Sequence, residues 1–246
     1  MLRNMYRERP STLPGAVLWT RTVPADETEH RVLPDGCLDL IWHNGRLLVA
    51  GPDTTAQLGS STPGATYTGL RFAPGIGPTV LGVPAHELRD RRVPLADLWP
   101  SARVRRLTER AAETPRPGHF LENLARDQLR DTTPEPSTRA LVASIASGDS
   151  VTTTANALGL STRQLHRRCL HAFGYGPKTL ARILRMTRAL TLARSGTPFA
   201  QVAAESGYAD QAHLSREVRA LAGIPLTQLI TPPLRPAERS RDRHNR

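Results

Sequence analysis

The 246 residues contain only two cysteines, Cys37 and Cys169, and no CxxC pair. That excludes a disulfide scaffold and a cysteine-based structural zinc site. Nothing basic flanks Cys37, so it reads as a small half-buried hydrophobe and not as a redox sensor. Aromatics are scarce: three Trp, four Tyr and four Phe. Base-stacking platforms for single-stranded nucleic acid are therefore not expected. No run approaches the roughly 20 apolar residues of a membrane span. The opening "MLRNMYRERPSTLPG" lacks the apolar stretch of a secretory signal, so a cytoplasmic, nucleoid-associated location is expected, with no membrane partner.

Catalytic and metal motifs are missing as well. His166 and His171 are five apart, the wrong helical spacing for one face. "PGIGPTVLG" has Val80 where a phosphate-cradling GxGxxG needs its third glycine, GxxxxGK does not occur, and "GSSTPG" is not GxSxG. The expectation is a chain with no catalytic residue, no metal and no cofactor, and not an enzyme.

Positive charge, by contrast, is abundant and one-sided. The net charge is +11. Residues 1–138 hold 17 Arg against 16 acids, whereas residues 139–246 hold 16 Arg or Lys against 6 acids. Nearly all the excess sits in the C-terminal part, which points to a polyanionic partner, above all nucleic acid. Lys178 is the only lysine; that preference for Arg carries no functional weight. An apolar fraction of 39% suits folded domains, and the length allows two of them.

Strand signals fill the first half. "PDGCLDLIW" sets a turn ahead of a run that alternates Leu38, Leu40 and Trp42 with Cys37, Asp39 and Ile41. "HNGR" then supplies Asn44-Gly45 before "LLVAG". Asn-Gly between two apolar runs is a hairpin signal, because both central residues take positive φ. "TYTGLRF" reads as another strand and "PGIGP" as a turn. The neighbourhood of Trp42, Asp39 and Arg71 reads as packed core with surface charge in preference to a small-molecule pocket.

Beyond Val83 the period changes. "PAHELRD" and "PLADLW" read as short helices opened by Pro84 and Pro94. "SARVRRLTERAAE" and "GHFLENLARDQLRD" read as longer amphipathic ones, with Val104, Leu107, Ala111 and Phe120, Leu124, Leu129 turned inward. Strands over about 30–82 and helices over about 84–131 thus make a domain of residues 1–131. "TTPEPS" is the linker candidate, placed at 132–136, and residues 233–246 read as a basic, disordered tail.

From residue 137 to 232 every segment reads as helix. "TRALVASIASG" ends at a C-cap glycine. "TTTANAL" stops at Gly159, and "STRQLHRRCLHAF" stops at Gly174. "PKTLARILRMTRALTLAR" starts on Pro177 and ends near Gly196. "PFAQVAAES" stops at Gly207 and "DQAHLSREVRALA" at Gly223. Two parts of this run repeat each other. Gly159 pairs with Gly207, 48 residues on; Leu165 pairs with Leu214 and Arg167 with Arg216, 49 on. A one-residue insertion in the second turn accounts for the difference. The pattern is two helix-turn-helix units in tandem.

In such a unit the second helix enters the major groove of DNA. Leu165 with Cys169, and Leu214 with Val218, suit the stripe that packs on the first helix. Arg163, His166 and Arg167 then face outward, as do Gln211, His213, Ser215 and Arg216. Arg bidentate to guanine and Gln to adenine are common base contacts. The intervening helix, about 17 residues or roughly 25 Å long, would set the two recognition helices near one duplex turn apart, roughly 34 Å. Arg182, Arg185 and Lys178 are candidates for phosphate contacts, which add affinity without sequence information.

"LGLSTRQLHRRC" with "FGYGP", the Arg-rich central helix, and "VAAESGYADQAHLSREVRALAGIP" together resemble the DNA-binding domain of the AraC/XylS family of bacterial transcription regulators. The resemblance covers residues 137–232. It implies base-reading positions at Arg163, Gln164, His166 and Arg167 in the first unit, and at Gln211, Ala212, His213, Ser215 and Arg216 in the second. The family's usual aromatic is replaced by Cys169 and Val218. The first half, through "LPDGCLDLIWHNGRLLVAGPDT" and "GLRFAPGIGPTVLGVPAHELRDRRVPLADLW", resembles an uncharacterised sensor-like domain that precedes this DNA-binding domain in many actinobacterial regulators.

The expected architecture is α+β: a β-rich sensor-like domain with trailing helices, then an all-α domain of two helix-turn-helix units joined by a linker helix. The expected function is sequence-specific transcription regulation on double-stranded DNA. The N-terminal domain would sense a small-molecule effector or form a homodimer, with RNA polymerase as a further partner for an activator. Two alternatives stand beside it. An N-terminal domain with enzymatic or alkyl-accepting chemistry would need a cysteine cluster, and the first 136 residues hold only Cys37. A non-specific nucleoid-binding protein would show affinity that ignores sequence and collapses with salt.

Overall fold

The computed structural model describes residues 5–27, 29–60, 62–130 and 136–230. Residues 132–135 of the expected linker and the expected tail at 233–246 lie outside them. Residue 136 is the first of a helix.

The N-terminal part is built on a six-stranded antiparallel sheet. Its strands are β1 (Met5–Pro10), β2 (Ala16–Thr22), β4 (Leu38–His43), β5 (Arg46–Ala50), β7 (Thr66–Phe72) and β8 (Arg92–Pro94), in the order β1-β2-β7-β4-β5-β8. A separate pair is formed by β3 (Glu29–Val32) and β6 (Gln57–Ser60). Asn44 and Gly45 carry φ of 49° and 75° in the β4–β5 hairpin, the paired positive values of a tight two-residue turn.

Alternation along the strands decides the core. Leu38, Leu40, Leu70 and Phe72 are buried on one face and join Leu18 and Val49 in a single apolar cluster. Helices α2 (Ser101–Glu113) and α3 (Pro117–Leu129) close over it, contributing Val104, Leu107, Leu121 and Leu124. On the opposite face Asp39 pairs across the strands with Arg71, whose Nε lies 3.4 Å from both Asp39 and Asp35. Burial raises the Asp39 carboxyl above its ordinary value, against the pull of Arg71. Trp42 projects to the core face and packs on the cluster, so it does not share a site with Asp39 and Arg71. Gly69 has a steric reason: a Cβ there would fall 2.2 Å from the Trp19 ring that lies across β7.

Several expected elements differ in detail. Strands begin at Met5, not near residue 30. β1, "MYRERP", is largely charged, an edge-strand composition that carries little apolar alternation; β2, "AVLWTRT", lies inside the sheet and buries Ala16, Leu18 and Trp19. "PGIGP" runs directly into α1 (Gly77–Leu81). "PAHELRD" and "PLADLW" form only three-residue 3₁₀ turns, Ala85–Glu87 and Leu95–Asp97, with β8 between them. The inner face of α3 is rotated: Leu121, Leu124 and Ala125 are buried, while Phe120 and Leu129 are only partly so. The rotation brings Glu122 inward, 1% exposed. It accepts from Arg9, from Ser11 Oγ at 2.8 Å and from the Thr12 amide at 3.1 Å. Burial opposes ionisation of this carboxyl, yet those hydrogen bonds outweigh it and hold its pKa below the ordinary value.

The C-terminal part is helical: α4 (Pro136–Ala146), α5 (Val151–Ala157), α6 (Thr162–Phe173), α7 (Pro177–Arg194), α8 (Phe199–Glu205), α9 (Gln211–Ala222) and α10 (Leu226–Ile230). It has its own apolar cluster, centred on α7 through Leu180, Ile183, Met186 and Ala189. No helix among the described residues is long and apolar enough to cross a membrane.

Candidate nucleic-acid interface

The two repeats share their turn and C-cap geometry. α5 ends with Gly159 at φ 65° and a bond from the Leu160 amide to Ala155 O at 2.9 Å. α8 ends with Gly207 at φ 76° and the equivalent bond, Tyr208 to Ala203, also at 2.9 Å. Both are left-handed C-caps in which the second residue past the helix reaches back to a free carbonyl. Each second helix is capped at its start. Ser161 accepts from the Gln164 amide while Gln164 Oε1 accepts from Ser161, and Asp210 accepts from the His213 amide at 2.6 Å. Each ends on a left-handed glycine, Gly174 or Gly223.

The anchors are the expected ones. Leu165, Cys169, Leu214 and Val218 are all fully buried. Two units thus present α6 and α9 from the same kind of turn, joined by the 18-residue α7. On α6, Arg163, Gln164, His166 and Arg167 are exposed; on α9, Gln211, Ala212, Ser215 and Arg216 are exposed. Within these sets some side chains already serve the fold. Gln164 closes its capping box. Ser215 Oγ donates to Gln211 O at 2.9 Å. His213 is half-buried, edge-on to Tyr208 at 5.3 Å, and its Nδ1 accepts from the Ala209 amide.

Residues 154–231 match the family of helix-turn-helix domains (HTH_18). This part of the chain is an AraC-type helix-turn-helix DNA-binding domain. Residues 16–94 match a second family, described as a domain of unknown function (DUF6597). The AraC-type domain has likenesses among solved structures. The C-terminal domain of AraT, a response regulator from Geobacillus stearothermophilus, is 24% identical over 39% of this chain and 84% of its own, with a TM-score of 0.36. An AraC-type regulator from Chromobacterium violaceum is 24% identical over 38% and 85%, at 0.35. Apo ToxT from Vibrio cholerae is 12% identical over 90% and 98%, at 0.49. No curated protein matches the chain. AraC-type regulators are generally not enzymes.

One cluster in the AraC-type domain was not legible. Glu217 on α9 accepts from Arg182 Nε on α7 at 2.8 Å, and Arg185 lies 3.9 Å away. Arg185 also stacks over Tyr208 at 4.8 Å. Arg182 and Arg185, expected at phosphates, also tie α9 to α7 through Glu217. Their partner Glu217 lies 35 residues beyond Arg182. Lys178, in the first turn of α7, is exposed.

The hydrogen bond from Arg182 holds the Glu217 carboxyl below its ordinary pKa, against its partial burial. A depressed folded pKa stabilises above the ordinary value, about 4.5, and that contribution is lost as pH falls through the folded value. Glu217→Gln is therefore expected to cost about 1 kcal/mol or less at pH 7, because Arg182 is 41% exposed. The cost should fade below pH 4.5 in urea titrations; a constant difference across pH would rule out the ion pair as its source.

Proposed function

We propose that α6 and α9 read two successive major-groove segments on one face of double-stranded DNA. The observation that carries this reading is the repeated cap–helix–cap geometry, which aims two exposed polar helix faces outward from one rigid connector. Arg163, His166 and Arg167 supply base contacts in the first segment. Gln211, Ala212, Ser215 and Arg216 supply them in the second. Gln164 and His213, tied to local backbone, hold the N-terminal turns from which those neighbours reach. Lys178 is the phosphate contact. Lys178→Ala is expected to weaken binding about equally on all sequences and to lower the salt slope by about 1. Loss confined to one sequence would instead make it a base reader.

Selection of binding sites from random DNA by the full chain tests the reading. It predicts a bipartite consensus whose halves lie about 10 base pairs apart. A single element, or none, overturns it.

Sensing, in this reading, sits where the N-terminal domain meets the first helix-turn-helix unit. A cavity of about 350 Å³ opens between α1, α4 and α6, lined by Thr79, Ser137, Thr138, Arg167, Arg168 and His171 among others. Two guanidinium groups, an imidazole and three hydroxyls suit a small carboxylate or phosphate. Arg167 belongs to both this cavity and the reading face, so an acid bound here draws it away from DNA. Thermal-shift titration with small carboxylates and phosphates should find ligands whose effect is lost in Arg168→Ala. Ligands acting equally on that variant would place sensing elsewhere.

A further inference from the structure

We propose that Arg31 and Arg89, both in the N-terminal domain, are positioning residues that set the distance between the two recognition helices, and with it the spacing between DNA elements that the protein accepts. The inference rests on the two-segment reading above.

A helix ends on carbonyls that have no partner within it and that carry partial negative charge. The N-terminal domain supplies donors to those carbonyls on both recognition helices. Arg89 NH1 donates to Gly174 O, past the end of α6, at 3.3 Å. Arg31 NH1 donates to Ala222 O, the last residue of α9, at 2.8 Å. The Ala56 amide adds a bond to Leu221 O at 2.7 Å. With the repeat offset of 49, the two arginines grip positions one residue apart in the two units.

Packing reinforces both grips. At Gly174 a Cβ would fall 2.7 Å from Pro52 and 3.2 Å from Ala85 O, so the end of α6 lies directly on the N-terminal domain. Tyr175 is buried, its hydroxyl beside Gly36, where a Cβ would stand 3.5 Å from it. At the other unit, Leu33, one residue past β3, packs against the AraC-type core. Without these contacts α7 alone joins the two units. With them the connection is closed through a second body, and rotation of one unit against the other must break an arginine–carbonyl bond. One base pair of added spacing moves the second element by roughly 3.4 Å and turns it by roughly 34°, so a closed connection cannot follow it.

The test uses the full chain and bipartite sites from the selection, with the spacing changed from two base pairs shorter to three longer. Wild type should prefer its optimum over each neighbouring spacing by about tenfold or more, as for a mismatched element. The double variant Arg31→Ala, Arg89→Ala should flatten that preference to about threefold or less. Arg31→Lys with Arg89→Lys keeps both donors and should restore much of it. Ala56→Pro removes a donor to the same end of α9 without touching an arginine; it should flatten the profile too, and it serves if the double variant fails to fold. A sharp wild-type profile left unchanged in the arginine variant and in Ala56→Pro overturns this proposal alone. A wild type with no optimum overturns the two-segment reading, and this proposal with it.

Discussion

Arg167→Ala and Arg216→Ala should each weaken binding to the selected site by about 1–3 kcal/mol, roughly 5- to 150-fold, and relax the base preference at one position only. The two residues stand 49 apart at the same place in the repeat, two positions beyond the buried anchors Leu165 and Leu214. Both are exposed, so neither substitution opens a cavity and stability should change by about 0.5 kcal/mol or less. The relaxed position should lie in the first half of the site for Arg167 and in the second half for Arg216. Competition binding against single-base variants of the site reads this out. An equal loss on random DNA at the same salt would demote either arginine to a phosphate contact.

Leu214→Ala should destabilise the AraC-type domain by about 2–5 kcal/mol. Leu214 is fully buried in the cluster that also holds Val202, Ala203, Val218 and Ala222. Truncation removes its contacts and leaves a void that small neighbours cannot fill. The recognition helix then loses the anchor that fixes its angle, so DNA affinity should fall even under conditions where the domain remains folded. Leu165→Ala should behave alike in the first unit. Urea unfolding followed by a probe in residues 136–230 measures the effect. A change under about 1 kcal/mol would mean that α9 is held chiefly by the Glu217 cluster.

The repeat was legible because its signals are local: a glycine past each helix, Ser161 and Asp210 as caps, a leucine four positions after each cap. The β4–β5 hairpin was legible for the same reason, through Asn44 and Gly45. What escaped depends on partners far along the chain. The buried face of α3 cannot be phased from its own period, because Glu122 is drawn inward by Arg9, Ser11 and Thr12 more than 100 residues earlier. Arg182 and Arg185 looked free for DNA until Glu217 was placed beside them. Arg31 and Arg89 carry no sequence signal at all, since a helix C-terminus accepts any donor that packing delivers.

The consequence for the proposed reading face is a division of labour. Within nine residues expected at bases, Gln164, His213 and Ser215 are engaged with backbone of their own unit, and the remaining side chains project from a scaffold stiffened by caps, by α7 and by the Glu217 pair. Pre-set geometry of this kind lets a few exposed groups carry discrimination at little ordering cost.

Methylation of guanine N7, which lies in the major groove, reports directly on contact by both helices. With the full chain on its selected site, methylation interference should give two clusters of guanines about 10 base pairs apart on one face of the duplex, the first weakened by Arg167→Ala and the second by Arg216→Ala. A single cluster that both substitutions weaken, or interference indifferent to either, would contradict the two-segment reading.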